Sequence, residues 1–183
     1  MVDALQAKGF KTFGPKANAA IIEGSKVVSK ELMKKYNIPT AGYEVFTDSE
    51  SAIKYIKEQN SYPTVIKADG LALGKGVILA QNEDEAVAAV HEMIDELKFG
   101  KSSARIVVEE FLTGPEVSVL SFTDGKTVVP MISSMDHKRA LDGDEGLNTG
   151  GMGTVAPNPY YTDDVAKQCM ETIFKPTIEA MNA

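Results

Sequence analysis

One cysteine, two histidines and no tryptophan occur in the 183 residues. With Cys169 alone, an internal disulfide is impossible and a zinc site built on cysteines is disfavoured. No stretch approaches the roughly 18 consecutive apolar residues of a membrane-spanning helix. The opening Met1-Val-Asp-Ala-Leu-Gln-Ala-Lys8 lacks the basic head and apolar run of a secretory leader. A surplus of positive charge is missing as well. Nineteen Lys and Arg against 26 Asp and Glu give a net charge of −7, the wrong sign for a general nucleic-acid binder. What is present is ordinary: 43% hydrophobic and 25% charged residues, as in a soluble globular chain. The length suits one good-sized domain or two small subdomains. A reducing cytoplasm is the expected setting, with no membrane and no nucleic acid among the partners.

Hydrophobic periodicity and turn residues sketch the elements. Phe10-Lys-Thr-Phe13 alternates and stops at Gly14-Pro15, which reads as a short strand. Ser25 caps a helix to about Tyr36, with Val28, Leu32 and Tyr36 on its inner stripe. Tyr43–Phe46 is a strand, and Thr47-Asp-Ser-Glu50 a capping box opening a helix to about Gln59. Two strands follow, Thr64–Lys67 and Gly76–Ala80, joined by a glycine-bearing loop. Asn82-Glu-Asp-Glu85 is a second capping box, for a helix turning Val87, Val90, Ile94 and Leu97 inward. Arg105–Glu109 is a strand, and Asp124-Gly125 joins a hairpin of residues 117–122 and 127–132. Residues 135–160 read as a long loop, and Thr162 caps a last helix with a kink at Pro176. Antiparallel strands with helices on one face make an α+β fold.

Two segments carry chemistry. In Lys67-Ala-Asp-Gly-Leu-Ala-Leu-Gly-Lys-Gly-Val77, Gly70, Gly74 and Gly76 let main-chain amides approach an anion while Lys67 and Lys75 bring charge. The segment is not a P-loop: three residues, not four, separate Gly70 from Gly74, and a glycine replaces the hydroxyl residue after Lys75. A strand rather than a helix follows, so a Rossmann turn fails too. A mobile hairpin folding over a polyphosphate remains, against the blander reading of a glycine-rich turn with exposed lysines. In Val107-Val-Glu-Glu-Phe-Leu-Thr-Gly-Pro-Glu116, one carboxylate can accept from the exocyclic amine of a purine and a second from both ribose hydroxyls. Glu109 and Glu116 suit these roles, against a reading as a solvated strand edge.

Together with Asp136-His-Lys-Arg139, Asn148-Thr-Gly-Gly-Met-Gly153, Phe13-Gly-Pro15 and Glu23-Gly-Ser-Lys26, these segments resemble the glycinamide ribonucleotide synthetases, or phosphoribosylamine–glycine ligases, of the ATP-grasp superfamily. The resemblance runs through essentially the whole chain. It implies an ATP-grasp fold of antiparallel sheets and helices in two subdomains. Residues 1–42 would lead in, 43–112 form the lid subdomain, and 113–183 begin the carboxyl subdomain. It implies ATP, glycine and 5-phosphoribosylamine as small-molecule substrates, and magnesium or manganese as the metal. The products are glycinamide ribonucleotide, ADP and phosphate, made in purine biosynthesis.

Residue by residue, the resemblance assigns Lys26, Lys67, Asp69, Gly70, Gly74, Lys75 and Gly76 to the phosphates. It gives Glu109, Glu110, Phe111 and Leu112 to adenine and Glu116 to ribose, while Asp136, His137, Lys138, Asn148, Thr149 and Gly150 face the other substrates. No catalytic residue and no metal ligand is assigned. The family's amino-terminal domain and its later Glu-x-Asn-x-Arg-type metal segment have no counterpart here. The expectation is therefore a fragment of the synthetase, with metal ligands beyond it, unable to ligate alone. Other purine-synthesis domains would be its partners within the parent polypeptide. Alternatives are a non-catalytic nucleotide-binding module and another ATP-grasp carboxylate–amine ligase.

Overall fold

The structure, a computed structural model, describes residues 1–72, 76–143 and 145–183, the side chains of 147 and 148 excepted. The chain divides into two units, one of residues 1–35 and 39–112, the other of residues 36–38 and 113–183.

In the first unit, helices α1 (Val2–Gln6), α2 (Ala17–Gly24) and α3 (Lys26–Lys35) precede strand β1 (Tyr43–Phe46), helix α4 (Ser49–Gln59), strands β2 (Thr64–Ala68) and β3 (Val77–Ala80), helix α5 (Glu83–Val90) and strand β4 (Ile106–Glu110). The strands form one antiparallel sheet in the order β1-β4-β2-β3. Ile66, Ala68, Ile106 and Val108 turn to one face, where α4 and α5 contribute Ala52, Ile56, Ala86, Ala89 and Val90 to the core. Residues 65, 67, 107 and 109 alternate to the opposite face.

Several expectations are corrected here. Residues 10–13 form no strand and Phe10 stays exposed, so alternation without a surface to bury did not fix a ladder. Helix α2 had no periodic stripe to announce it and buries none of its residues. Helix α3 buries Val27 and Lys30, a stripe rotated by about one residue from Val28, Leu32 and Tyr36. Asp48, not Thr47, caps α4, accepting from Ser51 N at 2.8 Å. Asn82 and Glu85 do form their reciprocal cap. Beyond Val90 a π turn, His91–Asp95, shifts the helical register. Met93 is therefore buried and Leu97 left exposed.

The second unit contains a short hairpin, β5 (Ser121–Thr123) with β6 (Val128–Pro130), and a longer one, β7 (Met135–Leu141) with β8 (Glu145–Val155). The first turns at Asp124-Gly125 as expected, Gly125 at φ +89° and the Asp124 carboxylate accepting from Lys126 N and Thr127 N. The second replaces the expected long loop: its glycines and polar residues hide a ladder that main-chain hydrogen bonds hold with little side-chain burial. Helix α6 (Asp163–Cys169) is capped by Thr162. A π turn at Met170–Phe174 leads into α7 (Lys175–Asn182), so the irregularity precedes Pro176 rather than falling on it. Among the described residues no helix is long and apolar enough to cross a membrane.

Candidate functional site

The antiparallel register of β2 and β4 sets the arrangement. Lys67 lies opposite Val107 and Val65 opposite Glu109, so Lys67 and Glu109 are diagonal neighbours on the face away from the core. Lys67 Nζ reaches Glu109 Oε2 at 2.9 Å. Helix α3 brings Lys30 Nζ to the same oxygen at 3.2 Å. Glu109 is only 5% exposed, and its other oxygen, Oε1, is buried with no partner. Buried carboxylate oxygens are rarely left in that state. Beside this cluster lies a cavity of about 490 Å³, within the size range of ligand pockets, lined among others by Ile22, Lys26, Lys30, Lys67, Leu71 and Glu109. Three lysines and two carboxylates, Glu109 and Glu23, thus meet an apolar wall, a combination suited to an anion joined to a flat heterocycle.

Asp69 holds the rim. Its carboxylate accepts from Ser25 Oγ at 2.7 Å and Val27 N at 2.9 Å, at the amino end of α3, and pairs with the Arg105 guanidinium through Nε at 3.0 Å and Nη2. These donors hold its carboxyl below the usual aspartate range, although burial pushes the other way. The Asp69 main chain joins in: Lys26 N donates to its carbonyl at 3.0 Å, and its N–H donates to Arg105 O at 3.0 Å. Lys26 Nζ donates to Ala68 O at 2.8 Å and Gly70 O at 3.1 Å, which leans the ammonium over the start of the glycine segment. Burial, aided by nearby Lys67, lowers the Lys26 pKa against the pull of Asp69 and Glu109.

The glycines have packing reasons to be glycine. A Cβ on Gly70 would meet Ser102 Oγ at 2.5 Å, and one on Gly76 would meet Ala72 Cβ at 2.6 Å. Gly70 N already donates to Ser102 O, so that amide is committed inside the fold. Gly74 and Lys75 lie outside the described residues. At the end of β4, Glu110 turns to the face opposite Glu109. Its carboxylate accepts from Gly42 N at 2.8 Å, and Phe111 and Leu112 follow, exposed.

Glu116 belongs to the second unit, where its carboxylate pairs with Lys138. Asp136 faces Lys138 at 3.5 Å. The Glu116 contact, chiefly, raises the Lys138 pKa. His137 is exposed on the alternate side of β7 and pairs in register with Gly153. Thr149 Oγ1 donates to Lys138 O at 2.9 Å and accepts from Gly151 N at 3.0 Å, with Gly150 open between them. Asn148 pairs with Arg139 in the ladder, its side chain outside the described set.

Four supporting residues escaped the sequence reading: Ser25 as an Asp69 partner, Lys30, Arg105 and Asn158. Lys30 recurs four residues after Lys26 on one helix face, which is the only local signal it offers. Asn158, 3% exposed, donates to Glu116 O at 2.8 Å and accepts from Tyr160 N at 2.8 Å, fixing the main chain of Glu116. Among the described residues no group of three or more His, Cys, Asp or Glu could hold a metal ion.

The fold is that of an ATP-grasp domain. The biotin carboxylase domain of Hydrogenobacter thermophilus 2-oxoglutarate carboxylase, solved with MgADP and bicarbonate, superposes with a TM-score of 0.73 over 98% of this chain and 39% of that one, at 22% identity. The chain belongs to the phosphoribosylglycinamide synthetase ATP-grasp (A) domain family, which matches residues 24–183. Phosphoribosylamine–glycine ligase of Escherichia coli K12 is 51% identical over 183 residues, covering 100% of this chain and 42% of the relative. The corresponding enzyme of Halalkalibacterium halodurans is 50% identical over 99% of this chain and 42% of its own length. The crystal structure of the Thermotoga maritima ligase matches with a TM-score of 0.84 and 38% identity, over 92% of this chain and 42% of that one. The chain thus spans about 42% of the length of these relatives.

Proposed function

We propose that the chain is the ATP-holding part of a ligase that joins glycine to 5-phosphoribosylamine in purine biosynthesis, working in the cytoplasm with magnesium. The observation that carries the reading is the buried Glu109 carboxylate, which lines one cavity with Lys26, Lys30 and Lys67 and keeps one oxygen without a partner. Family membership and the named relatives support the reaction.

In this reading residues 43–112 are the lid subdomain and 113–183 the start of the carboxyl subdomain. Glu109 Oε1 accepts from the exocyclic amine of adenine, while main-chain groups of Glu110, Phe111 and Leu112 serve the ring edge. Lys26 and Lys67 neutralise phosphate oxygens, with Lys75 and the segment from Asp69 to Gly76 closing over them. Glu116 takes the ribose hydroxyls. Asp136, His137, Lys138, Asn148, Thr149 and Gly150 serve glycine and phosphoribosylamine.

The glycine carboxylate is a poor electrophile. The γ-phosphoryl group of ATP passes to one of its oxygens, giving glycyl phosphate and ADP. The amine of phosphoribosylamine then attacks the acyl carbon, the amide bond forms, and phosphate leaves as the amine gives up a proton. Neither step requires a protein nucleophile, so placed cations and positioning supply the rate. Among the described residues no group of three or more His, Cys, Asp or Glu is placed to hold the metal ion.

Equilibrium binding of ATP tests the reading. Lys67→Ala should weaken binding about tenfold or more, the scale of a lost charge-assisted contact. Lys101→Ala, exposed on the Gly100–Ser103 turn, should leave it unchanged. Equal losses would refute a specific phosphate role.

A further inference from the structure

The two lysines on Glu109 Oε2 are held very differently. Lys30 is 8% exposed, and its ammonium has three acceptors: Thr40 Oγ1 at 2.7 Å, Ala41 O at 3.2 Å and Glu109 Oε2 at 3.2 Å. An ammonium has three donors, so Lys30 is fully spent, and it also lies 5.2 Å from the centre of the Tyr43 ring. Two of those acceptors, Thr40 and Ala41, sit on the segment leading into β1. Lys67 has Glu109 as its one acceptor among the described residues, and its side chain is more accessible.

A carboxylate as buried as Glu109 is costly once a sole counter-ion leaves. With Lys30 fixed beneath it, Lys67 can leave without stranding the charge. We propose that Lys30 is the permanent counter-ion and positioning residue of Glu109. It keeps Oε1 unpaired as the acceptor for a purine exocyclic amine, and it frees Lys67 to pass from the carboxylate to a phosphate oxygen. Lys30 thereby governs which base is accepted, and Lys67 how tightly any nucleoside triphosphate is held. The inference rests on the nucleotide reading above and adds a residue to it.

Binding of ATP and of inosine 5′-triphosphate to the whole chain separates these roles. Inosine carries a carbonyl oxygen where adenine carries the amine, so it sets oxygen against Oε1 and leaves both without a donor. The unaltered chain should prefer ATP by about tenfold or more. Lys67→Met should weaken both nucleotides together and keep that ratio. Lys30→Met should bring the ratio to within about threefold of unity, and Lys30→Arg, which keeps a cation there, should restore most of it. Thermal melting checks each variant. Should the Met variant not fold, Lys30→Gln, which still donates to Thr40 and Ala41 but carries no charge, decides the matter in its place. An unchanged ratio in the neutral Lys30 variants, or a ratio lost in Lys67→Met, overturns the proposal and leaves the nucleotide reading standing. No binding of ATP by the unaltered chain overturns that reading itself.

Discussion

Strands β1 to β4 and helices α4 and α5 enclose Ile66, Ala68, Met93, Ile106 and Val108 in one apolar core, whereas the described residues of 113–183 bury only Ser133, Asn158 and Ala180. Leu120, Val129, Ile132, Met152 and Val155 of that second unit are exposed. Its order rests largely on main-chain ladders, turn carboxylates and the buried Asn158 amide, with Ile38 and Ala180 the buried apolar side chains among its described residues. The contrast teaches that the two units of this chain are ordered by different means. The lysine–carboxylate cluster stands on the packed sheet, and Glu116 on a polar staple.

Substitutions can break or sharpen this contrast. Ile66→Ala, in the packed core, should cost about 2–5 kcal/mol in denaturant unfolding. A loss under about 1 kcal/mol would mean the core is not what holds the first unit. Asp69→Ala removes hydrogen bonds to a charged group and should cost about 1.5–3 kcal/mol. The same residue sets a pH dependence. Its carboxyl is depressed in the folded state, so its contribution is complete above the ordinary aspartate value and is lost as pH falls through the lower folded one. Urea midpoints measured down that window should decline less in Asp69→Asn than in the unaltered chain, and parallel declines would remove the claim. Asn158→Ala should cost about 1–3 kcal/mol by leaving Glu116 O and Tyr160 N without their partner. Val129→Ser, on exposed β6, should stay within about 0.5 kcal/mol. A larger loss there would show apolar packing in the second unit after all.

Local grammar made much of the first unit legible. The strands at Tyr43, Thr64, Val77 and Ile106 are short apolar runs between turn residues, and Asn82-Glu-Asp-Glu85 satisfies its own amides within four residues. What failed depended on distant partners. Helix α2 has no stripe to bury, β7 and β8 find each other through main-chain groups that side-chain patterns do not reveal, and the π turns shift register without a sequence mark. The site divides in the same way. Lys67 and Glu109 stood out by residue type and place and Lys26 through the family resemblance, and the fold lines one cavity with them. Lys30 reads as an ordinary solvated helix lysine until Thr40, Ala41 and Glu109 close around it, and Arg105 as a strand-edge charge until it meets Asp69.

The Asp69 clasp also has a kinetic consequence. The amide protons of Lys26, Val27, Asp69 and Gly70 are all committed to hydrogen bonds within it or to the neighbouring Ser102 carbonyl. They belong to two chain segments more than forty residues apart, yet none can be released without opening the same knot. In deuterated water these four amides should therefore show one common protection factor, a slow island spanning the amino end of α3 and the root of the glycine segment.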